Sequence, residues 1–239
     1  MAWVPFAERY LYLSASVAGI CIAACGHYFV GKGIISFKSQ WIFFIALIFI
    51  FSITTFDREF VWKDSQSLWA DTLKKNPDVS NVLYAYGHAF GGDTKIWAYN
   101  KAIASSETFK YKDITLLGIA DYERFFGNYD KAVENIEKAL SIKKSFDNLI
   151  QAAEIVLPME KDDKGLEKEY MAQAIEYYKA AYKKRNVAFI LYQIGILMIR
   201  SGRSKEAVQV FEEVIRKHPN SNYSIYCQKL LHKLPKIVK

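Results

Sequence analysis

Residues 189–220 read FILYQIGILMIRSGRSKEAVQVFEEVIRKHPN and consist of two runs with helical periodicity. The apolar residues of the first run recur three and four positions apart, and Gly195 lies on their face. Gly202 interrupts the pattern, and Ala207 and Phe211 then share one face of the second run before a proline ends it. Because Gly195 and Ala207 carry minimal side chains, two helices can approach closely there. The stretch therefore predicts an antiparallel helix pair.

Two further segments follow the same order of residues less completely. Residues 114–144 repeat it with Ala120, the turn residue Gly127 and Ala132, but they lack the final proline. Residues 81–106 place Gly87 at the close contact. In this first unit either the spacing is about four residues short or the small positions have shifted.

A third unit is interrupted by a charged insertion. Residues 146–157 are expected to form its first helix, and Ala174, Tyr178 and Ala181 mark its second. The insertion, residues 158–167, reads PMEKDDKGLE. A charged loop of this kind is typical of a solvated excursion, although insertions in repeats often map to one face.

The order large, large, small, large, turn glycine, small, aromatic, small, proline resembles the tetratricopeptide repeat. This resemblance implies an all-α, right-handed solenoid of about four stacked helix pairs over residues 79–239. Residues 62–77 resemble a lone second helix ahead of the array. Residues 221–239 resemble the polar-backed capping helix that a solenoid needs.

The first 56 residues differ in composition from the rest of the chain. Their only charged residues are Glu8, Arg9, Lys32 and Lys38. Residues 10–30 are uncharged and long enough to cross a bilayer. Residues 41–56 form a second apolar run that is slightly short for a span, unless its helix continues into residues 57–62. A secretory leader is disfavoured because Glu8 offsets Arg9 and no small-residue cleavage site follows. A transmembrane hairpin is predicted, with a buried core helix as the alternative for residues 10–30.

The ends of the two apolar runs carry residues that prefer the membrane–water interface. A junction helix is expected over residues 57–78, between the hairpin and the repeats. Interface positions are predicted for Arg9, Tyr10, Tyr12, Trp41 and Trp62.

The distribution of basic residues predicts the orientation of the hairpin. The linker between the runs carries Lys32 and Lys38, whereas basic residues at the outer ends are accompanied by acidic ones. This bias predicts a cytoplasmic linker. The repeats would then be extracytoplasmic on an integral membrane protein.

Two stretches resemble transmembrane-and-tetratricopeptide-repeat mannosyltransferases and their bacterial relatives. PFAERYLYLSASVAG, residues 5–19, is similar to the segment before a late span, although Ser14 stands where that family has proline. Residues 57–90 are similar to the junction between the last span and the repeats. The residues that carry this second match are Trp62, Leu68, Trp69, Thr72, Leu73, Asn76 and Pro77.

The resemblance implies that the parent enzyme lies in a lipid bilayer and transfers a sugar from a polyisoprenyl-phosphate donor to an acceptor protein. The acidic catalytic loop of these enzymes has no counterpart in this chain. The chain is therefore interpreted as a membrane-anchored interaction module, the acceptor-presenting carboxy-terminal portion of such a glycosyltransferase. The alternative is part of an active protein O-glycosyltransferase whose catalytic spans lie upstream.

Other chemistry has little support in the sequence. The four histidines are widely separated, and the three cysteines do not form a metal-ligand or disulfide pattern. The net charge of +7 is scattered among acidic residues, which disfavours a nucleic-acid partner. Neither a catalytic residue, nor a metal site, nor a cofactor is predicted.

In stacked helix pairs, the first helix of each pair is expected to line the concave surface. Rings and charged groups there suit an extended peptide, because rings supply contact area and arginine supplies forked hydrogen bonds. The alternative is that the tyrosines pack between repeats and the charged residues are solvated. The predicted groove residues are Tyr84, His88, Asp121, Arg124, Tyr192 and Arg200.

Overall fold

The computed structural model describes residues 11–159 and 167–237, and within these ranges the chain forms helices and no strand. Two compact units divide the chain, Met1–Ser67 and Leu68–Lys239. The twelve described helices are α1 Leu11–Gly31, α2 Phe37–Val61, α3 Ser65–Lys75, α4 Ser80–Phe90, α5 Gly92–Ser105, α6 Lys112–Phe125, α7 Tyr129–Ile142, α8 Phe146–Val156, α9 Glu167–Lys184, α10 Ala188–Arg200, α11 Ser204–Lys217 and α12 Asn222–Ile237.

The first unit contains α1 and α2, most of whose described large apolar side chains are exposed, and none of these side chains is buried. Ser36 caps α2 by accepting a hydrogen bond of 3.1 Å from the backbone N–H of Ser39. The helix is longer than the predicted run at both ends. It continues through the charged residues near Arg58, which stands in the last turn, where a cation suits the helix dipole.

Among the described residues, α2 is the helix whose length and composition would allow it to cross a bilayer. It has 25 residues, and none of its most apolar window is buried. The described side chains of α1 begin after residue 16, and Val17–Gly31 is a shorter apolar segment. The structure therefore supports one candidate span where the sequence predicted two.

The second unit is built from helix pairs packed in chain order. In each pair the two helices contact each other extensively, and neighbouring pairs also pack together. Helix α12 covers α10 and α11, as predicted for a capping helix. The all-α prediction is confirmed for the described residues, while the handedness of the array stays a prediction. The four pairs are α4–α5, α6–α7, α8–α9 and α10–α11.

Small residues let the helices of a pair approach closely. Ala207 and Phe211 of α11 are fully buried, and the Phe211 ring lies on Gly195 of α10. In the second pair, Ala120 and Ala132 are likewise fully buried. The residues that the sequence assigned to the close contacts therefore lie in the core.

The first pair departs from this pattern. Only Gly91, with φ +74°, separates α4 from α5. The ring of Tyr99 lies between Gly87 and Gly118, where added Cβ atoms would stand 2.9 Å and 2.7 Å from it. Tyr99 follows Gly87 by 12 residues, whereas Phe211 follows Gly195 by 16. The first unit is therefore four residues shorter than the unit that contains Gly195. The ring of Tyr99 fills the close contact at Gly87, as the ring of Phe211 does at Gly195.

The first residues of the predicted insertion, 158–167, still contact the packed array. Met159 is fully buried in the core, so the chain does not leave the packed array at residue 158. Glu167 already begins α9. The remainder of the insertion, residues 160–166, lies outside the described residues.

Candidate functional site

Tyr84 packs inside an aromatic cluster next to the first pair. Its ring stacks on Tyr99 at 5.5 Å and on Tyr111 at 5.3 Å between centroids. Burial raises the pKa of Tyr84, and the nearby Tyr111 and Asp113 raise it further. His88 follows one turn later on α4 and is exposed, with its ring 6.4 Å from Tyr84. The pair therefore presents an exposed imidazole beside a half-buried phenol.

Asp121 and Arg124 form an ion pair along α6. The carboxylate Oδ1 accepts hydrogen bonds from Arg124 Nη2 at 2.8 Å and from Nε at 3.1 Å. The Arg124 side chain is only 23 % exposed, whereas that of Asp121 is 50 % exposed. The carboxylate therefore holds the guanidinium in place while part of it remains open to solvent.

Tyr192 packs against α11 and the capping helix. Its ring centroid lies 5.4 Å from that of Tyr223, 6.2 Å from that of Tyr226 and 6.3 Å from that of Phe211. Burial raises the pKa of Tyr192. Arg200 is exposed at the last residue of α10, two turns beyond Tyr192.

The six predicted groove residues all lie on first helices of pairs, namely α4, α6 and α10. Both tyrosines make interhelical ring contacts, as the packing alternative predicts. Both nevertheless remain half-exposed. The binding role of the six residues stays a prediction.

Sequence reasoning missed the polar contacts that join neighbouring pairs. The buried Asn148 on α8 donates a hydrogen bond of 2.8 Å to the carboxylate of the buried Asp113 on α6. The hydroxyl of Tyr122 on α6 donates to the carboxylate of Asp93 at the start of α5. These partners lie 35 and 29 residues apart, so no local pattern reveals them.

Sequence reasoning also missed Tyr226, which is 48 % exposed on α12. It follows Tyr192 by 34 residues, the period of the tetratricopeptide repeat. The two rings therefore occupy corresponding positions on α10 and α12. That spacing was a signal from which Tyr226 could have been assigned to the predicted groove.

A separate, mostly apolar groove of about 500 Å³ lies between α1 and α2 in the first unit. Cys21 and Cys25 line it, as their four-residue spacing predicts for one helix face, together with Ser39 and Gln40 of the opposite helix. Its walls have the apolar character of surfaces that face lipid or another helix.

Two of the five predicted membrane-interface residues lie among the residues whose side chains the structure describes. Trp41 and Trp62 are exposed near the two ends of α2. Arg9 and Tyr10 lie outside the described residues, and the side chain of Tyr12 is likewise not described. Among the residues that are described, no cluster of three or more His, Cys, Asp or Glu side chains could hold a metal ion.

Two family models match parts of the second unit. The tetratricopeptide repeat model matches residues 115–146, which contain most of α6, all of α7 and the turn between them. The family described as "Uncharacterized protein conserved in bacteria (DUF2225)" matches residues 156–233, from the end of α8 into α12. A search of the curated proteins found no match.

These matches define a tetratricopeptide-like helical protein and support a protein–protein interaction module. Neither match includes residues 5–90, on which the resemblance to membrane mannosyltransferases depends. That resemblance is not supported by the comparisons and stays a prediction.

Proposed function

We propose that the chain is a membrane-anchored tetratricopeptide-repeat module that binds a polypeptide through the first helices of its pairs. The observation that carries the binding role is the match of residues 115–146 to the tetratricopeptide repeat, together with the helix pairs on either side. Stacked pairs of this kind offer extended surfaces to other proteins.

Helix α2 supports the anchoring part of the proposal. Its 25 residues exceed the roughly 20 that a hydrocarbon core requires, and most of its described large apolar side chains are exposed. Exposed aliphatic and aromatic side chains over this length are costly in water, because apolar surface is driven out of contact with it. The anchor is tested by washing membranes with carbonate, and recovery of the full chain in the soluble fraction would contradict it.

The orientation of the anchor follows from the basic linker. Lys32 and Lys38 lie near the ends of α1 and α2 and favour a cytoplasmic position. We therefore propose that the repeats are extracytoplasmic. A periplasmic-active phosphatase fused after the final residue is expected to be active, and activity only in a fusion at the linker would reverse the orientation.

The enzymatic setting is proposed on sequence resemblance alone. Residues 5–90 resemble the last part of a lipid-linked-sugar glycosyltransferase, for which the repeats would present the acceptor. The catalytic spans would lie outside this chain. An in-frame upstream sequence that encodes further spans and an acidic first loop would support this setting, and a promoter immediately before Met1 would count against it.

The binding role is tested by a photo-crosslinking amino acid placed on different helices. Glu154 on α8 is an exposed first-helix position, and Glu212 on α11 is an exposed second-helix position with the same native residue. The proposal expects a crosslinked polypeptide from position 154 and little from position 212. Equal crosslinking at both positions would remove the assignment to first helices.

A further inference from the structure

The charge of the chain is strongly divided along the second unit. Residues 183–239 contain 12 Lys and Arg against three Asp and Glu. The net charge of this segment, +9, exceeds the net charge of the whole chain, which is +7. The division is also present between single helices, namely the first helices of the pairs and the capping helix α12. Helices α10 and α12 contain no acidic residue, whereas α6 and α8 together contain five acidic residues against Lys112 and Arg124.

The basic residues of α10 and α12 accompany two tyrosines in corresponding positions. On α12, Lys229 and Lys233 follow Tyr226 by three and seven residues, so they share its face. On α10, Arg200 follows Tyr192 by eight residues and is exposed. The rings of Tyr192 and Tyr226 lie 6.2 Å apart, which brings the two faces together. We call Tyr192, Arg200, Tyr226, Lys229 and Lys233 the carboxy-terminal basic surface.

The two lysines of this surface are available to an anionic partner. Both are exposed, and within the described part of the chain neither forms an ion pair. Two other cations of the unit are instead paired with acidic residues on their own helix or at its start. Lys217 contacts Glu213 at 2.5 Å, and Arg203 contacts Glu206 at 2.5 Å.

We propose that the carboxy-terminal basic surface binds an acidic, extended segment of a polypeptide. The inference rests on the proposed function and names the class of its partner. Half-exposed tyrosine rings offer contact area, and the surrounding cations complement carboxylates on the bound segment. Arginine can also donate two parallel N–H hydrogen bonds to a carboxylate.

The neighbouring first helix limits where the acidic segment can lie. Asp147 and Glu154 are exposed on α8, which carries no basic residue. An acidic chain that continued from α10 onto α8 would therefore meet charge of its own sign. The partner is accordingly acidic over α10 and α12 and neutral or basic beyond them, so the charge pattern limits the acidic part of the partner to these two helices.

The test measures fluorescence anisotropy of labelled peptides with the full chain in phosphatidylcholine nanodiscs at low salt. The probes are Glu-Ser, Lys-Ser and Gly-Ser repeat peptides of equal length. The test variant is Lys229→Glu with Lys233→Glu. The control is Lys131→Glu with Lys183→Glu, which makes the same change in net charge at exposed second-helix positions on α7 and α9.

The inference expects the Glu-Ser peptide to bind most tightly and the test variant to weaken it by at least about tenfold, with a much smaller effect in the control. Equal weakening in both variants would overturn it, because net charge alone would then explain binding. Peptide binding that disappears when the discs contain phosphatidylserine would assign the surface to an anionic bilayer instead. Tighter binding of the Gly-Ser or Lys-Ser peptide would refute this inference alone, whereas failure of all three would count against the proposed function.

Discussion

The ring of Phe211 on α11 lies so close to Gly195 on α10 that a Cβ added to Gly195 would stand 2.3 Å from its Cε1 atom. Gly195→Ala therefore requires Phe211 or the helix to move. The gain in helix propensity, roughly 1 kcal/mol, is smaller than the strain expected in a packed core. We expect a net loss of about 1–3 kcal/mol in the free energy of unfolding, measured by urea denaturation.

A double-mutant cycle separates this contact from a general effect of alanine. Phe211→Leu shortens the side chain and is itself destabilising, but it makes room for the new methyl group. The combined variant should therefore lose less stability than the two single losses added together. Strict additivity would show that the close approach is not the cause.

The hydrogen bond between Asn148 and Asp113 gives a second prediction. Both side chains are buried, and the Asn148 amide also donates to the Lys143 carbonyl at 2.8 Å. Asn148→Ala leaves a buried carboxylate without this donor and should cost about 1–3 kcal/mol. The matched control is Asn135→Ala, whose amide bonds the Lys131 carbonyl at an exposed position on α7. A loss in the control as large as that at Asn148 would refute the proposed role of burial.

Much of the second unit could be predicted from local patterns. Gly195, Ala207 and Phe211 lie within a single repeat, so their spacing is visible without knowledge of the fold. The packing of the first pair was harder to predict. The ring of Tyr99 fills a gap that Gly87 of the first pair and Gly118 of the second pair form together. A pattern within one repeat cannot show a contact that depends on two.

The candidate groove could be predicted only in part. The assignment of Tyr84, Arg124 and Tyr192 to first helices followed from the repeat register. The degree of burial of Tyr84 could not be predicted from the register. It depends on stacking with Tyr111, which precedes α6 in a segment without periodicity. Helix α2 continues through the charged residues after Phe56, an extension that the sequence left open because the predicted run was slightly short for a span.

Two buried tyrosines predict how stability responds to alkaline pH. Burial raises the pKa of Tyr99 and of Tyr178 from 10.0 to about 12. Well below pH 10 both groups are protonated whether the chain is folded or unfolded. As pH rises from about 10 to about 12, the unfolded chain loses these protons first, so stability should fall across that window.

Replacement of these two tyrosines by phenylalanine tests the prediction. Tyr99→Phe with Tyr178→Phe keeps both rings and removes both phenolic protons. Urea midpoints measured from pH 8 to pH 12 should decline less steeply in this variant than in the unaltered chain. An unchanged slope would contradict a contribution from the two phenols.

The buried thiol of Cys227 gives a prediction about the capping helix. Burial raises the pKa of this thiol to about 11, and its side chain is fully buried. In a variant with Cys21→Ser and Cys25→Ser, we expect almost no reaction with a thiol reagent at pH 8 in the folded chain and full reaction in urea. Rapid reaction without urea would show that α12 does not remain packed.

Binding of a polypeptide through the first helices is tested most directly by removing two cations from them. The variant Arg124→Ala with Arg200→Ala changes α6 and α10, and Lys131→Ala with Lys205→Ala removes the same charge from exposed positions on α7 and α11. Affinity for the polypeptide captured by crosslinking is measured for both, with circular dichroism to confirm folding. Each lost arginine should cost about 1–2 kcal/mol, and the lysine variant should bind almost normally. Unchanged affinity in a folded arginine variant would contradict the proposed binding surface.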